Sequence, residues 1–109
     1  MTPAAILRAA AKRLGSDATW TQRAMARLAT GLPIDPFHER AMCWDMTGAV
    51  IVTGGDEDRI ACALAMDAVG DVLGMCPMRW NDEPGRTAAE VRAKLIEVAD
   101  RLEPVEMAA

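Results

Sequence analysis

The stretch of sequence that decides the fold is residues 59–73, which read RIACALAMDAVGDVL. Apolar residues recur in it every three or four positions, so a helix built from it is apolar over about half of its circumference. Asp56 precedes the stretch as a cap, and Gly74 follows it as a stop signal. We therefore predict a central helix over 57–73 whose apolar rows, including Ile60 and Leu64, are buried.

Helix signals of the same kind recur on both sides of this stretch. Thr2-Pro3 is a hydroxyl cap followed by a proline, and Asp35-Pro36 repeats that signal. Thr87 and Glu90 form a capping box ahead of a helical apolar row. Four further helices are predicted: 3–14, 18–29, from Pro36 to about residue 52, and 88–102.

Three segments separate or end these helices. Residues 32–36 contain two prolines and are expected to form a connector. Residues 50–53 are Val-Ile-Val-Thr, and a short strand is the alternative to helix there because β-branched residues favour strands. Pro104 and the tail 105–109 are expected to fray.

The composition agrees with a helical protein. The chain has 109 residues, of which 51% are hydrophobic and 26% charged, with one Phe and no Tyr. This length suits one domain, and the shortage of aromatic residues disfavours sheets. The prediction is an all-α, compact single domain, 1–109, of about five helices.

The net charge and the cysteine content disfavour some classes of protein and some locations in the cell. The net charge is −4, and the excess of acids lies after residue 40. An acidic protein is not expected to be a general nucleic-acid binder, whose affinity comes from neutralising phosphates. Three cysteines without a Cys-x-x-Cys pair favour a reducing cytoplasm, and no apolar run reaches the length of a membrane span. We expect a cytoplasmic protein without a membrane segment.

Residues 79–87 hold the densest group of polar side chains in the sequence. The candidate partner- or ligand-binding residues are Arg79, Trp80, Asn81, Asp82 and Arg86. As a site, they would hold an anion or a carboxylate while Trp80 stacks. As structure, Trp80 fills the core, Asn81 or Asp82 binds loop amides and Arg86 pairs with an acid. The structural interpretation is favoured, and the binding interpretation stays open.

These residues also carry a resemblance. Three features occur in order: Trp20-Thr21-Gln22, then Ala41-Met42-Cys43-Trp44 leading to Gly48-Ala49-Val50, then the run from Trp80 to Val91. This order resembles an uncharacterised family of small bacterial and phage proteins of unknown function, over about Ile6 to Ala99. The resemblance implies a helical fold and a mobile-element setting, and it supplies no catalytic residue.

Catalytic chemistry has little support in this sequence. His38 is the single histidine, so a catalytic triad would have to be built around it. A zinc site would need scattered ligands such as His38, Cys43, Cys62 and Cys76. Asp67 and Asp71 are four residues apart and are interpreted as the exposed stripe of a helix, although such a pair can bind a cation. We predict no catalytic residue, no metal and no cofactor.

The sequence favours a non-catalytic module that binds another protein through its acidic surface or through the Trp80 to Arg86 loop. A phage or mobile-element modulator of a host system fits this description. The alternative is a small protein that binds an anionic, nucleotide-like ligand with Arg79, Trp80 and Arg86. A small hydrolase is less favoured, and homodimerisation is left open.

Overall fold

The computed structural model describes residues 1–108 and is mostly helical, with a small two-stranded sheet. Its elements in chain order are α1 (Pro3–Arg13), a 3₁₀ turn (Asp17–Thr19), β1 (Ala26–Arg27), β2 (Cys43–Trp44), α2 (Met46–Gly54), a 3₁₀ turn (Asp56–Asp58), α3 (Arg59–Leu73), α4 (Pro77–Asn81) and α5 (Ala88–Ala108). The prediction of a strictly all-α fold was therefore wrong, whereas that of a mostly helical chain is confirmed. In residues 1–108 no helix is long and apolar enough to cross a membrane.

Helix α1 lies antiparallel to α5, and side chains tie the two along their length. Arg8 forms ion pairs with Asp100 and Glu103 at 2.6 and 2.8 Å. Nearer the start of α1, the Ala4 amide donates to a carboxylate oxygen of Glu106. The predicted cap of α1 is confirmed, because the Thr2 hydroxyl accepts from the Ala5 amide.

These ties explain why α5 continues beyond its predicted end at residue 102. The helix runs through Pro104 to Ala108. Fraying was expected there because proline lacks an amide donor. Glu103 and Glu106 hold this last part of α5 against α1, and the tertiary contacts outweigh the local cost of the proline.

The predicted helix over 18–29 is absent. Only Asp17–Thr19 form a single 3₁₀ turn, and β1 follows, paired antiparallel with β2 so that Ala26 lies opposite Trp44. Arg23 has a φ of 64°, the left-handed region that interrupts a helix. The guanidinium of Arg27 donates to the Thr21 hydroxyl and to the carbonyls of Gln22 and Gly31, which holds this segment extended and bent.

The predicted start of the third helix at Pro36 was also wrong. Asp35 accepts a hydrogen bond from the Phe37 amide and forms a local turn instead of a helix cap. The residue that caps the helix is Asp45, whose carboxylate accepts from the Gly48 amide at 2.6 Å. Residues 50–53 then lie within α2, so the predicted helix is confirmed for the valine-rich stretch and the strand alternative is wrong.

Helix α3 ends at Leu73 as predicted, but it begins at Arg59 and not at residue 57, and Asp58 instead of Asp56 occupies its cap position. Its burial also differs from the prediction. The face made by Cys62, Ala65 and Val69 is buried in the core. On the opposite face, Ile60 is 79% exposed and Leu64 is 54% exposed. Helix α3 therefore lies at the surface with one apolar side uncovered, and it is not a fully surrounded central helix.

Candidate functional site

The five candidate residues lie around α4, which sequence analysis had taken for a loop. Cys76 ends the preceding turn, and Pro77 starts α4 in the first-turn position where its missing amide donor costs nothing. Arg79, Trp80 and Asn81 belong to this helix, and Asp82 ends it. Arg86 follows in the turn before α5. The structure thus joins the side chains of Asn81 and Asp82 by a hydrogen bond and stacks Arg86 on Trp80. It leaves Arg79 exposed outside this group.

Asn81 is fully buried and connects three separate parts of the chain. Its side-chain oxygen accepts from the indole Nε1 of Trp20 at 2.8 Å and from the Met46 amide at 3.1 Å. Its side-chain nitrogen donates to the Thr21 carbonyl at 3.1 Å. A buried amide with partners on both its atoms acts as a cross-link between α4, the start of α2 and the segment at Trp20.

Further hydrogen bonds around Asn81 also join the end of α4 to the segment that follows Trp20. Gln22 donates to the carbonyls of Asn81 and Glu83 through one side-chain nitrogen. The carboxylate of Asp82 accepts from the Arg23 amide at 2.9 Å. These three hydrogen bonds fix residues 22 and 23 against α4, and they hold Arg23 at its positive φ.

Arg86 is packed on Trp80 and is neutralised by acids. Its guanidinium carbon lies 3.8 Å from the centre of the Trp80 ring, and its Nε donates to the Trp80 carbonyl. It forms ion pairs with Glu83 at 2.6 Å and with Glu90 at 3.2 Å. Hydrogen bonds from Thr87, and then the charge of Arg86, lower the pKa of Glu90. The capping box of Thr87 and Glu90 is confirmed as well.

Sequence analysis missed Asp45, which is buried directly beside this group. Its carboxylate caps α2, and burial raises its pKa to about 6, with the nearby charge of Asp82 adding to the rise. The available sequence signal was weak, because an Asp three residues before a Gly is common. Gly48 is required at that place, since a Cβ there would overlap the backbone carbonyl of Met25.

A shallow cleft of about 410 Å³ lies beside Arg86. Trp20, Thr21, Gln22 and Thr87 line it, together with Asp17. The cleft has the aromatic and hydroxyl groups that an anionic ligand would use. However, the guanidinium of Arg86 already has two carboxylate partners, which an incoming anion would have to replace.

The other residues considered for chemistry are not assembled. The His38 Nδ1 accepts from the Arg40 amide in an exposed turn. Cys62 is buried and Cys76 is exposed, and burial raises the pKa of the Cys62 thiol. Among residues 1–108, no group of three or more His, Cys, Asp and Glu side chains is close enough to hold a metal ion.

A second surface feature is the outer side of α3, which we call the α3 face and define as Ile60, Ala63, Leu64, Asp67 and Asp71. All five residues are exposed. A groove of about 330 Å³ runs beside it, lined mainly by Phe37, Ile51, Ala63 and Met66. Sequence analysis had both aspartates on an exposed stripe, but it had placed the two large apolar residues in the core.

The comparisons with known proteins concern the region that holds these features. A family of unknown function, DUF6197, matches residues 1–101. The chain belongs to DUF6197. The match includes the whole Trp20, Asn81 and Arg86 network and the α3 face. No curated protein and no solved structure matches the chain.

Proposed function

We propose that this DUF6197 protein is a non-catalytic module that binds another protein. The observation that supports this proposal is the α3 face, where two large aliphatic side chains are exposed side by side along a helix. Ile60 and Leu64 line one concave surface together with Ala61 and Ala63. Contiguous apolar surface of this kind is typical of protein-binding sites, whereas single exposed apolar residues are ordinary.

The acidic charge of the chain agrees with this proposal. Acids placed around an apolar surface steer a basic partner and disfavour nucleic acid. The proposal extends to a modulator that covers a basic surface of a target protein, as a phage or mobile-element protein would do.

Affinity capture with matched variants tests the proposal. Tagged wild type is compared with Ile60→Ser/Leu64→Ser, and Leu32→Ser is the control because Leu32 is similarly exposed, at 61%, outside α3. All three substitutions are at exposed positions, so melting temperatures are expected to agree within a few degrees. Wild type and Leu32→Ser should enrich the same protein from cell extract, and the α3 variant should lose it. Equal capture by wild type and both variants, or no protein enriched above an unrelated acidic control, would contradict the proposal.

The cleft beside Arg86 supports a second candidate, the binding of a small anionic ligand by Trp20 and Arg86, with Trp80, Asn81 and Asp82 holding the two in place. The expected signal is a saturable change in tryptophan fluorescence on titration with inorganic phosphate or ATP. Arg86→Gln should abolish the change, and Arg79→Gln should leave it intact. A flat titration up to millimolar ligand would exclude this candidate.

A further inference from the structure

The α3 face is a straight strip in which apolar and acidic residues are separated along the helix. Ile60, Leu64, Asp67 and Asp71 follow each other at intervals of three or four, which places them on one side of an α-helix. Cys62, Ala65 and Val69 form the opposite, buried side. At about 1.5 Å per residue, Asp71 lies about 10 Å further along the axis than Leu64.

Acids lie at both ends of the apolar pair. Asp56 and Glu57, in the 3₁₀ turn, line the concave surface at the end near Ile60. Asp67 and Asp71 lie beyond Leu64. Within residues 1–108, none of these four carboxylates has a cationic group within 4.0 Å.

Two further charged residues, Asp58 and Arg59, lie at the end of the strip near Ile60. The excess of negative charge remains when they are counted. Asp58 is already paired with the amino group of Met1 at 2.9 Å. Arg59 lines both the groove and the concave surface, and it supplies one positive charge against the four carboxylates. The strip therefore presents an apolar centre with a net negative charge around it.

The shape of the surface favours a helical partner. Ala63 separates the row of Ile60 and Leu64 from the groove lined by Phe37, Ile51 and Met66. A small residue at this place lets another helix approach closely, with its apolar side chains on both sides of Ala63. An amphipathic helix that lies in an apolar groove supplies such side chains at intervals of three or four.

We propose that the α3 face binds a basic amphipathic helix of a partner protein. This inference rests on the proposed function and names the class of partner. Large apolar side chains of the partner cover Ile60 and Leu64 and enter the groove beside Ala63. Its Lys or Arg residues pair with Asp56 and Glu57 at one end and with Asp67 and Asp71 at the other.

The test uses a defined probe, a fluorescent 15-residue peptide of Leu and Lys with the leucines at intervals of three and four. One control peptide has the same composition with the leucines distributed around the helix, and another has Glu in place of Lys. Binding is measured by fluorescence anisotropy, and its location by amide chemical-shift changes in the labelled protein. The first peptide should bind, with the largest shifts in α3, and both controls should bind at least tenfold more weakly.

Variants of the protein separate the apolar and the charged contributions. Leu64→Ser should weaken peptide binding at least tenfold, as expected for a central apolar anchor, while Leu32→Ser should change it less than twofold. Asp67→Asn/Asp71→Asn should weaken binding severalfold and reduce its dependence on salt, because screening acts on the charge pairs.

Four results would overturn the proposal: no saturable binding, equal binding of the rearranged peptide, an unchanged affinity of Leu64→Ser, or a wild-type dimer that Leu64→Ser dissociates in sedimentation experiments. The last result would assign the α3 face to a second copy of the chain. If cell extract yields a partner that the α3 variant loses while the peptide does not bind, the proposed function stands and the basic helix is excluded.

Discussion

At the scale of single residues, Asn81 anchors both ends of the segment from Trp20 to Met46, most of which lacks regular structure. Its side chain joins Trp20, Thr21 and Met46, which lie about 35 to 61 positions away in the sequence. Local sequence signals contain no information about partners at such distances. A buried amide that is fully paired contributes by leaving no polar group without a partner.

Replacing Asn81 by Leu should therefore destabilise the protein strongly. The indole of Trp20, the Met46 amide and the Thr21 carbonyl would all lose their partner in a buried place. We expect the free energy of unfolding to fall by roughly 3 kcal/mol or more, measured by urea denaturation. Arg79→Ala on the same helix is the control and should change it by less than about 0.5 kcal/mol. Similar values for the two variants would refute the cross-linking role of Asn81.

Asp45 should make stability depend on pH in a direction opposite to that of most acids. Burial raises its pKa in the folded protein from the ordinary value of 3.8 to about 6. Between these values the folded state keeps a proton that the unfolded state has lost, so stability falls as the pH rises through this window. The lost stability is roughly 3 kcal/mol above pH 6, since each unit of pKa corresponds to about 1.4 kcal/mol.

Asp45→Asn isolates this effect, because asparagine also caps helices but carries no charge. Urea denaturation of both proteins at pH 4.5 and pH 7.5 gives the difference. The variant should gain stability relative to wild type on going to the higher pH. Glu90 and Glu103 have lowered pKa values and act in the opposite direction in both proteins, so their contributions cancel. A constant difference between the two proteins would show that Asp45 is ionised throughout.

At the scale of elements, the sequence predicted those helices whose signals are local. The cap at Thr2, the stop at Gly74 and the capping box at Thr87 are all found where the sequence placed them. The segment from Trp20 to Trp44 could not be predicted in this way. Its conformation depends on Asn81 and Asp82, and helical periodicity within it was coincidental. The candidate site was predictable to the same degree. The sequence identified the polar residues around Trp80, but it did not identify the distant residues to which they bind.

The crossing of α2 and α3 depends on Gly54 and Cys62. A Cβ at Gly54 would overlap the sulfur of Cys62, whose thiol donates to the Val50 carbonyl. Gly54→Ala should lower the free energy of unfolding by about 2 kcal/mol, and Cys62→Ala should lower it by about 1 kcal/mol. The double variant should cost less than the sum by about 1 kcal/mol, because removing the sulfur makes room for the methyl group. Additive values in chemical denaturation would disprove this contact.

At the scale of the whole molecule, order is distributed unevenly. Helices α1 and α5 are joined along their length, whereas residues 37–40 are exposed and are held by hydrogen bonds within their own turn. Local unfolding requires the least free energy where few buried contacts are lost, so we expect residues 37–40 to open before α1 and α5.

Limited digestion with trypsin should consequently cut first after Arg40. Sites in α5, such as Lys94, require the helix to unfold and should be cut much later. Mass spectrometry of early fragments checks the order of cutting. Arg40→Gln is the matched variant and should slow the appearance of fragments. Early cutting after Lys94 in the wild type would mean that α5 opens before the turn at Arg40.

The pairing of Thr21 with Trp44 has a practical meaning for protein engineering. The Thr21 amide donates to the Trp44 carbonyl, so the two ends of the segment between them are fastened together at its base. Extra sequence spliced near Glu39 would then extend into solvent while the base remains closed. An epitope or a fluorophore introduced there offers a handle for labelling the protein while the base of the segment keeps its hydrogen bond.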